Sequence, residues 1–185
     1  MTARSDAETR RADAVRNRGA LLAAGERVFA RSGAEVPMEE VAREAGVGRG
    51  TLYRHFPSRE HLLAALMEGQ AAQLDAEARR LRAEAPPWEA VTAWLRRYDE
   101  ALARFRGAAA HVGAGFAGGT PVAAACHPMR TAFAGLLDHA RSCGQVRPDI
   151  TAEQVLALVA GLPKDAATGR AQSQCLDIVL RGLRA

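Results

Sequence analysis

The chain has 185 residues, of which 48% are hydrophobic, 25% charged and 5% aromatic, enough for a buried core with an ordinary globular charge content. Alanine, leucine, arginine and glutamate dominate, which favours helix over sheet because unbranched side chains lose little rotamer freedom in a helix. A net charge of +4 and a pI near 9.5 fit a nucleic-acid partner without establishing one, and the three cysteines, Cys126, Cys143 and Cys175, lack the number and spacing of a disulfide framework or a structural zinc site.

Residues 1–13 read as a flexible arm carrying Arg4, Arg10 and Arg11 among small polar residues. A first helix is expected from Asp13 to Arg31, with Leu21, Leu22, Ala24, Gly25, Val28 and Phe29 on one side, stopped at Ser32-Gly33. Pro37 suits the start of a short second helix whose apolar side is Met38, Val41, Ala42 and Ala45 and whose end is Gly46. Val47 is an apolar plug. Gly48-Arg49-Gly50-Thr51-Leu52-Tyr53-Arg54-His55-Phe56 forms a third helix, closed by Pro57. Ser58 is expected to cap a long helix from Arg59 to about Glu84.

After the break at Ala85-Pro86-Pro87, a helix is expected from Trp88 to Arg106, followed by a glycine-rich, weakly patterned stretch around His111 and Phe116. Pro121 to about Cys143 is again helical, with Pro128 expected to kink or interrupt it. Thr151 with Glu153-Gln154 caps a helix running through Leu162, and Ala171 to Leu183 makes the last one. No period of two survives anywhere, so the expected class is all-α.

Two short helices around a glycine turn, braced by a helix on each side, fit a helix-turn-helix at about residues 38–57. Bulk charge does not mark it. Residues 1–85 hold 14 arginines against 13 acidic residues, and residues 86–185 hold 11 basic against 8 acidic. Local order does: Arg49–Arg59 has three arginines and no acid, whereas Glu35–Glu44 has four acids and one arginine. In the third helix Leu52 and Phe56, four apart, supply an inner face, while Arg49, Gly50, Thr51, Tyr53 and His55 are left for an outer one. The glycines lower helix propensity, an odd choice unless a ligand backbone approaches closely.

Residues Leu21 to Leu66 resemble the DNA-binding domain of the TetR family. The likeness rests on Phe29-Ala30-Arg31-Ser32-Gly33, on Glu40-Val41-Ala42-Arg43-Glu44-Ala45-Gly46-Val47, and above all on Gly50-Thr51-Leu52-Tyr53-Arg54-His55-Phe56-Pro57-Ser58-Arg59-Glu60-His61-Leu62. It implies a three-helix DNA-binding domain over residues 14–75, joined by the long helix to a ligand-binding and dimerisation domain over 76–185. It also implies base contact at Arg49, groove or phosphate contact at Thr51, Tyr53 and His55, and a backbone grip at Arg59, with Gly50 admitting close approach to the DNA. Two positions depart from the family pattern: Gly48, where serine is common, and Pro37-Met38, where threonine is common.

From the same resemblance, the protein is expected to be a repressor that binds a palindromic double-stranded operator as a homodimer and is released by a small, largely apolar effector. Trp94, Tyr98, Phe105, His111, Phe116, His127, Met129 and Phe133 are the candidate pocket residues, each open between pocket and plain core. Val155, Leu158, Val159, Leu176, Val179 and Leu180 are the candidate dimer seam, open between seam and monomer core. No enzyme signature is present, no cofactor or metal is expected, and without a signal sequence or membrane span a cytoplasmic location is expected. The competing reading is a helical dimeric sensor or adaptor responding to metal or redox state through its C-terminal histidines and cysteines.

Overall fold

A computed structural model describes residues 2–103, 119–162 and 169–185. Its helices are α1 (Thr2–Ser32), α2 (Met38–Glu44), α3 (Arg49–His55), α4 (Arg59–Glu84), α5 (Pro87–Ala103), α6 (Pro121–Ser142), α7 (Ala152–Ala160) and α8 (Gly169–Leu183). Among the described residues the only β feature is an isolated bridge between Val146 and Arg184. The all-α class follows.

One expectation fails at the N-terminus. Residues 2–12, read as part of a flexible arm, are helical and continuous with α1. Polarity suggested disorder there, yet alanine, arginine and glutamate are good helix formers, and a helix already nucleated by the packed turns at Leu21–Phe29 extends backward at low cost. Leu21, Ala24, Val28 and Phe29 are all fully buried. Gly25 lets α1 cross α4 closely, since a Cβ there would sit 3.3 Å from Leu66 Cδ1 and 3.5 Å from Leu62 Cδ2.

Left-handed glycines end α1 at Gly33 (φ 81°), α2 at Gly46 (φ 68°) and α6 at Gly144 (φ 68°). At α2 the Val47 amide donates to the Ala42 carbonyl at 3.0 Å and the Gly46 amide to Arg43 at 3.1 Å, a Schellman closure that turns the chain directly into α3. The Thr151–Gln154 capping box forms at the start of α7 as expected. Ser58 does not cap α4 through its side chain. Its hydroxyl lies 2.8 Å from His61 Nδ1 instead. Pro128 sits inside α6 without interrupting it.

The most extensive packing is α4 against α6, with α5 filling the remaining side of both. Trp94 is the hinge of that core. Its ring stacks on Phe133 (centroids 4.6 Å) and Tyr98 (5.4 Å), and its indole N–H donates to the Leu74 carbonyl at 2.8 Å. The C-terminus is tied back by Arg147 N–H to Leu183 O and by Arg184 over the Trp88 ring.

Candidate nucleic-acid interface

The inner face of α3 is fixed by Leu52 and Phe56, both buried, the second with the Arg18 guanidinium 5.5 Å above its ring. Anchoring these two turns Arg49, Gly50 and Arg54 fully outward and leaves Thr51, Tyr53 and His55 half-buried along the sides. Gly48 stands at the N-cap of α3 with no side-chain cap, as Pro37 does for α2. A Cβ at Gly48 or Gly50 would meet nothing within 4 Å. The protein's own packing therefore does not require glycine at either position.

The donors on this face are not idle. Glu39, in the first turn of α2, lies with Oε1 3.2 Å from Arg49 Nε and accepts a 3.2 Å hydrogen bond from the Tyr53 hydroxyl. Arg49 in turn lies 5.5 Å from the Tyr53 ring centroid. A hydrogen bond from its own backbone amide, then the Tyr53 hydroxyl and the Arg49 charge, hold the Glu39 carboxyl below the usual carboxylate range. Arg59, at the start of α4, donates to the Ala34 carbonyl and pairs with Glu35 at 3.7 Å. Its side chain is a quarter exposed, so it braces the α1–α2 loop besides facing solvent. Sequence reasoning placed Arg49, Tyr53 and Arg59 on one surface but missed Glu39, whose only signal was its place in the acidic run next door.

The pocket candidates separate. Tyr98 and Met129 line a small cleft of about 20 Å³ between α4, α5 and α6, room for about one water, together with Met67, Gln70, Leu74, Leu102 and Cys126. The Tyr98 hydroxyl is buried there without a hydrogen-bond partner among the described residues. Burial, reinforced by the neighbouring Cys126, lifts that phenol far above the usual tyrosine range. Trp94 and Phe133 belong to the stacked core rather than the lining. His127 points to solvent from α6, on the side away from the cavity lining, because Cys126 and Met129 take the buried positions flanking it. Phe105, His111 and Phe116 lie outside the described residues.

The seam candidates also divide. Val155, Val159, Leu176 and Leu180 are buried within the chain itself, where α7 closes on α5 and α6 and α8 closes on α7, in keeping with the monomer-core alternative. Val179 is half-buried, and Leu158 is 56% exposed. The sequence reading missed Ile178, 65% exposed on α8.

No group of three or more His, Cys, Asp or Glu that could hold a metal occurs among the described residues. Cys126 is buried, and burial pushes its thiol up to about 11 with Arg130 opposing the shift, the reverse of a reactive thiolate. A disulfide-exchange reagent at pH 8 is expected to label Cys143, which is exposed, at once and Cys126 only when the chain unfolds; thiol counting before and after denaturant checks this.

Comparison with known proteins matches both parts of this architecture. The profile described as bacterial regulatory proteins of the tetR family covers residues 21–66, and that described as the C-terminal domain of SbtR-like transcriptional regulators covers residues 86–185. The chain belongs to the TetR family. A TetR transcriptional regulator of Streptomyces coelicolor is 37% identical, with 90% of this chain aligned to 98% of that one at a TM-score of 0.59. A TetR regulatory protein of Mycobacterium vanbaalenii is 31% identical, over 95% and 99% of the two chains, at 0.55. An HTH-type transcriptional regulator of Staphylococcus aureus is 35% identical over 85 residues, 46% of this chain and 42% of that protein, so the match spans less than half of that curated relative. This TetR-family chain is thus a DNA-binding transcriptional regulator and not an enzyme. Among its described residues no helix is long and apolar enough to cross a membrane.

Proposed function

We propose that this regulator is a repressor that binds a palindromic operator as a homodimer, reads it through α3, and leaves it when a small, largely apolar molecule occupies the α4–α5–α6 cavity. The observation that carries the reading is the outer face of α3. Arg49, Thr51, Tyr53 and His55 stand on a helix anchored from behind by Leu52 and Phe56, beside two glycines that internal packing does not explain. A helix that starts without a side-chain cap at Gly48 and accepts a glycine in its first turn at Gly50, for no internal contact, is suited to close approach by a DNA backbone. On this reading Arg49 reaches guanine, Thr51, Tyr53 and His55 meet groove or phosphate, and Arg59 meets phosphate with the part of its fork that Ala34 and Glu35 leave over. Acting on the bacterial chromosome places the protein in the cytoplasm.

Leu158 and Ile178, large exposed aliphatic side chains on the adjoining helices α7 and α8, support the homodimer as apolar surface that a partner copy would cover. An open groove at Leu158 is lined by Ile150, Ala157 and Leu162 together with Asp149 and Gln154. Charging the two exposed positions with Leu158→Glu and Ile178→Glu is expected to raise the dimer dissociation constant by roughly 30-fold or more, read by light scattering across a concentration series. The mostly apolar cleft of about 20 Å³ beside Gln70 and the unpartnered Tyr98 hydroxyl marks where an effector would enter, and α4, α5 and α6 would have to part to admit it. Release then follows if the ligand binds more tightly to a dimer whose two α3 helices no longer match the operator spacing.

The test is a mobility shift on the DNA upstream of the protein's own gene, across a salt series. Binding that weakens steeply with salt and is lost in the double glutamate variant supports the reading. Binding by a monomer, or binding insensitive to salt, overturns it.

A further inference from the structure

The acidic edge of α2 lies where a DNA-reading surface has no evident use for negative charge. Glu39 is exposed and pointed at α3, where its carboxylate faces Arg49 Nε and the Tyr53 hydroxyl at 3.2 Å each. Its neighbour Glu40 turns the other way, toward Arg43 at 3.9 Å. One carboxylate thus stands among the donors assigned to DNA, while an equal charge one residue on does not.

We infer that Glu39 is a specificity-determining residue, an internal anion that penalises non-specific DNA while leaving the operator contact of Arg49 intact. The inference rests on the reading of α3 as the helix in the groove. Non-specific binding is dominated by phosphates, and each phosphate reached by an arginine or a hydroxyl must come within a few ångströms of that donor. For Arg49 or Tyr53 such a phosphate would have to displace Glu39 or lie beside it, anion against anion. A guanine edge is different. It is neutral, and it takes two parallel N–H donors from one side of the guanidinium.

The Glu39 contact falls on Nε, and Nη1 and Nη2 make no hydrogen bond among the described residues on a side chain that is 74% exposed. The fork needed for guanine is therefore compatible with the contact that repels phosphate. The same contact restricts a long, rotamer-rich side chain before DNA arrives, which lowers the ordering cost of the specific contact alone. Holding the carboxyl below its usual range keeps Glu39 ionised throughout neutral conditions.

The experiment compares wild type, Glu39→Gln and Glu40→Gln on two duplexes. One is selected by the wild-type protein from a randomised pool, and the other is a scrambled duplex of the same length and composition. The two variants change net charge equally, and glutamine at 39 keeps an acceptor for Tyr53. Glu39→Gln is expected to tighten binding to the scrambled duplex by roughly 5- to 10-fold and to the selected duplex by no more than about 2-fold. Its discrimination falls accordingly, while Glu40→Gln keeps the wild-type ratio. Equal effects of the two variants, or unchanged or improved discrimination in Glu39→Gln, would overturn the inference. Failure of the wild-type protein to prefer its selected duplex would instead remove the reading of α3 on which it rests. Circular dichroism melts of all three proteins confirm that folded chains are compared.

Discussion

Replacing Trp94 with alanine is expected to cost about 3–5 kcal/mol of folding stability, the range for emptying a buried indole site. The ring is fully buried, stacks on Phe133 and Tyr98, and fixes α5 to α4 through its bond to the Leu74 carbonyl. No small movement refills that volume, because α4, α5 and α6 meet there as rigid helices. Against a typical total of about 5–15 kcal/mol the loss is large, and in a chain of this size it lowers the melting temperature by on the order of 10 °C. Trp94→Phe keeps most of the stacking and gives up the hydrogen bond, so its cost should be much smaller. Thermal melts followed by near-ultraviolet circular dichroism separate the three proteins. The alanine variant also removes a wall behind Tyr98 and so loosens the proposed effector cavity.

Arg49→Ala should do the opposite: leave the fold untouched and disable recognition. The side chain is 74% exposed and among the described residues contacts the Glu39 carboxylate and the Tyr53 ring, both at the surface, so the melting temperature is expected to stay within about 1–2 °C of wild type. Operator affinity should fall roughly 30-fold or more, since one bidentate guanine contact discriminates by about 1–3 kcal/mol and a twofold dimer loses it twice. Arg59→Ala makes a useful contrast. It would give up the proposed backbone contact on DNA and also the bond to Ala34 that closes the α1–α2 loop, so affinity and stability are expected to decline together. Fluorescence anisotropy with a labelled operator, paired with melts of each variant, reads both quantities.

How legible the sequence is depends on whether a residue's role is set locally. The turns are: Gly33, Gly46 and Gly144 stop helices because only glycine takes a positive φ without strain, and the Thr151–Gln154 box forms between residues three apart. The inner and outer faces of α3 are equally legible, since a spacing of four puts Leu52 and Phe56 on one side whatever surrounds them. The seam and the pocket are not. Leu158 and Val159 are neighbours of equal hydrophobicity, and only the packing of α7 on α5 and α6 decides that the first is exposed and the second buried.

Trp94 and Tyr98 look alike to a composition argument. The stack with Phe133 assigns one to the core, and the cavity takes the edge of the other. The start of α1 differs for a related reason: polarity predicts exposure, and residues 8–12 are exposed yet helical because packed turns follow them. Glu39 escaped notice because its charge, read in sequence, belongs to α2, whereas its partners belong to α3.

The measurement that bears most directly on the central claim, that α3 reads the operator in the major groove through Arg49, is methylation interference on the selected duplex. Methylating guanine N7 blocks the acceptor a guanidinium fork uses. Wild-type binding is predicted to be abolished by methylation at guanines placed symmetrically in the two half-sites, about one helical turn apart. For Arg49→Ala, methylation at those same guanines should no longer matter. An interference pattern that is identical for wild type and Arg49→Ala, or that contains no symmetric pair of guanines, would contradict the account.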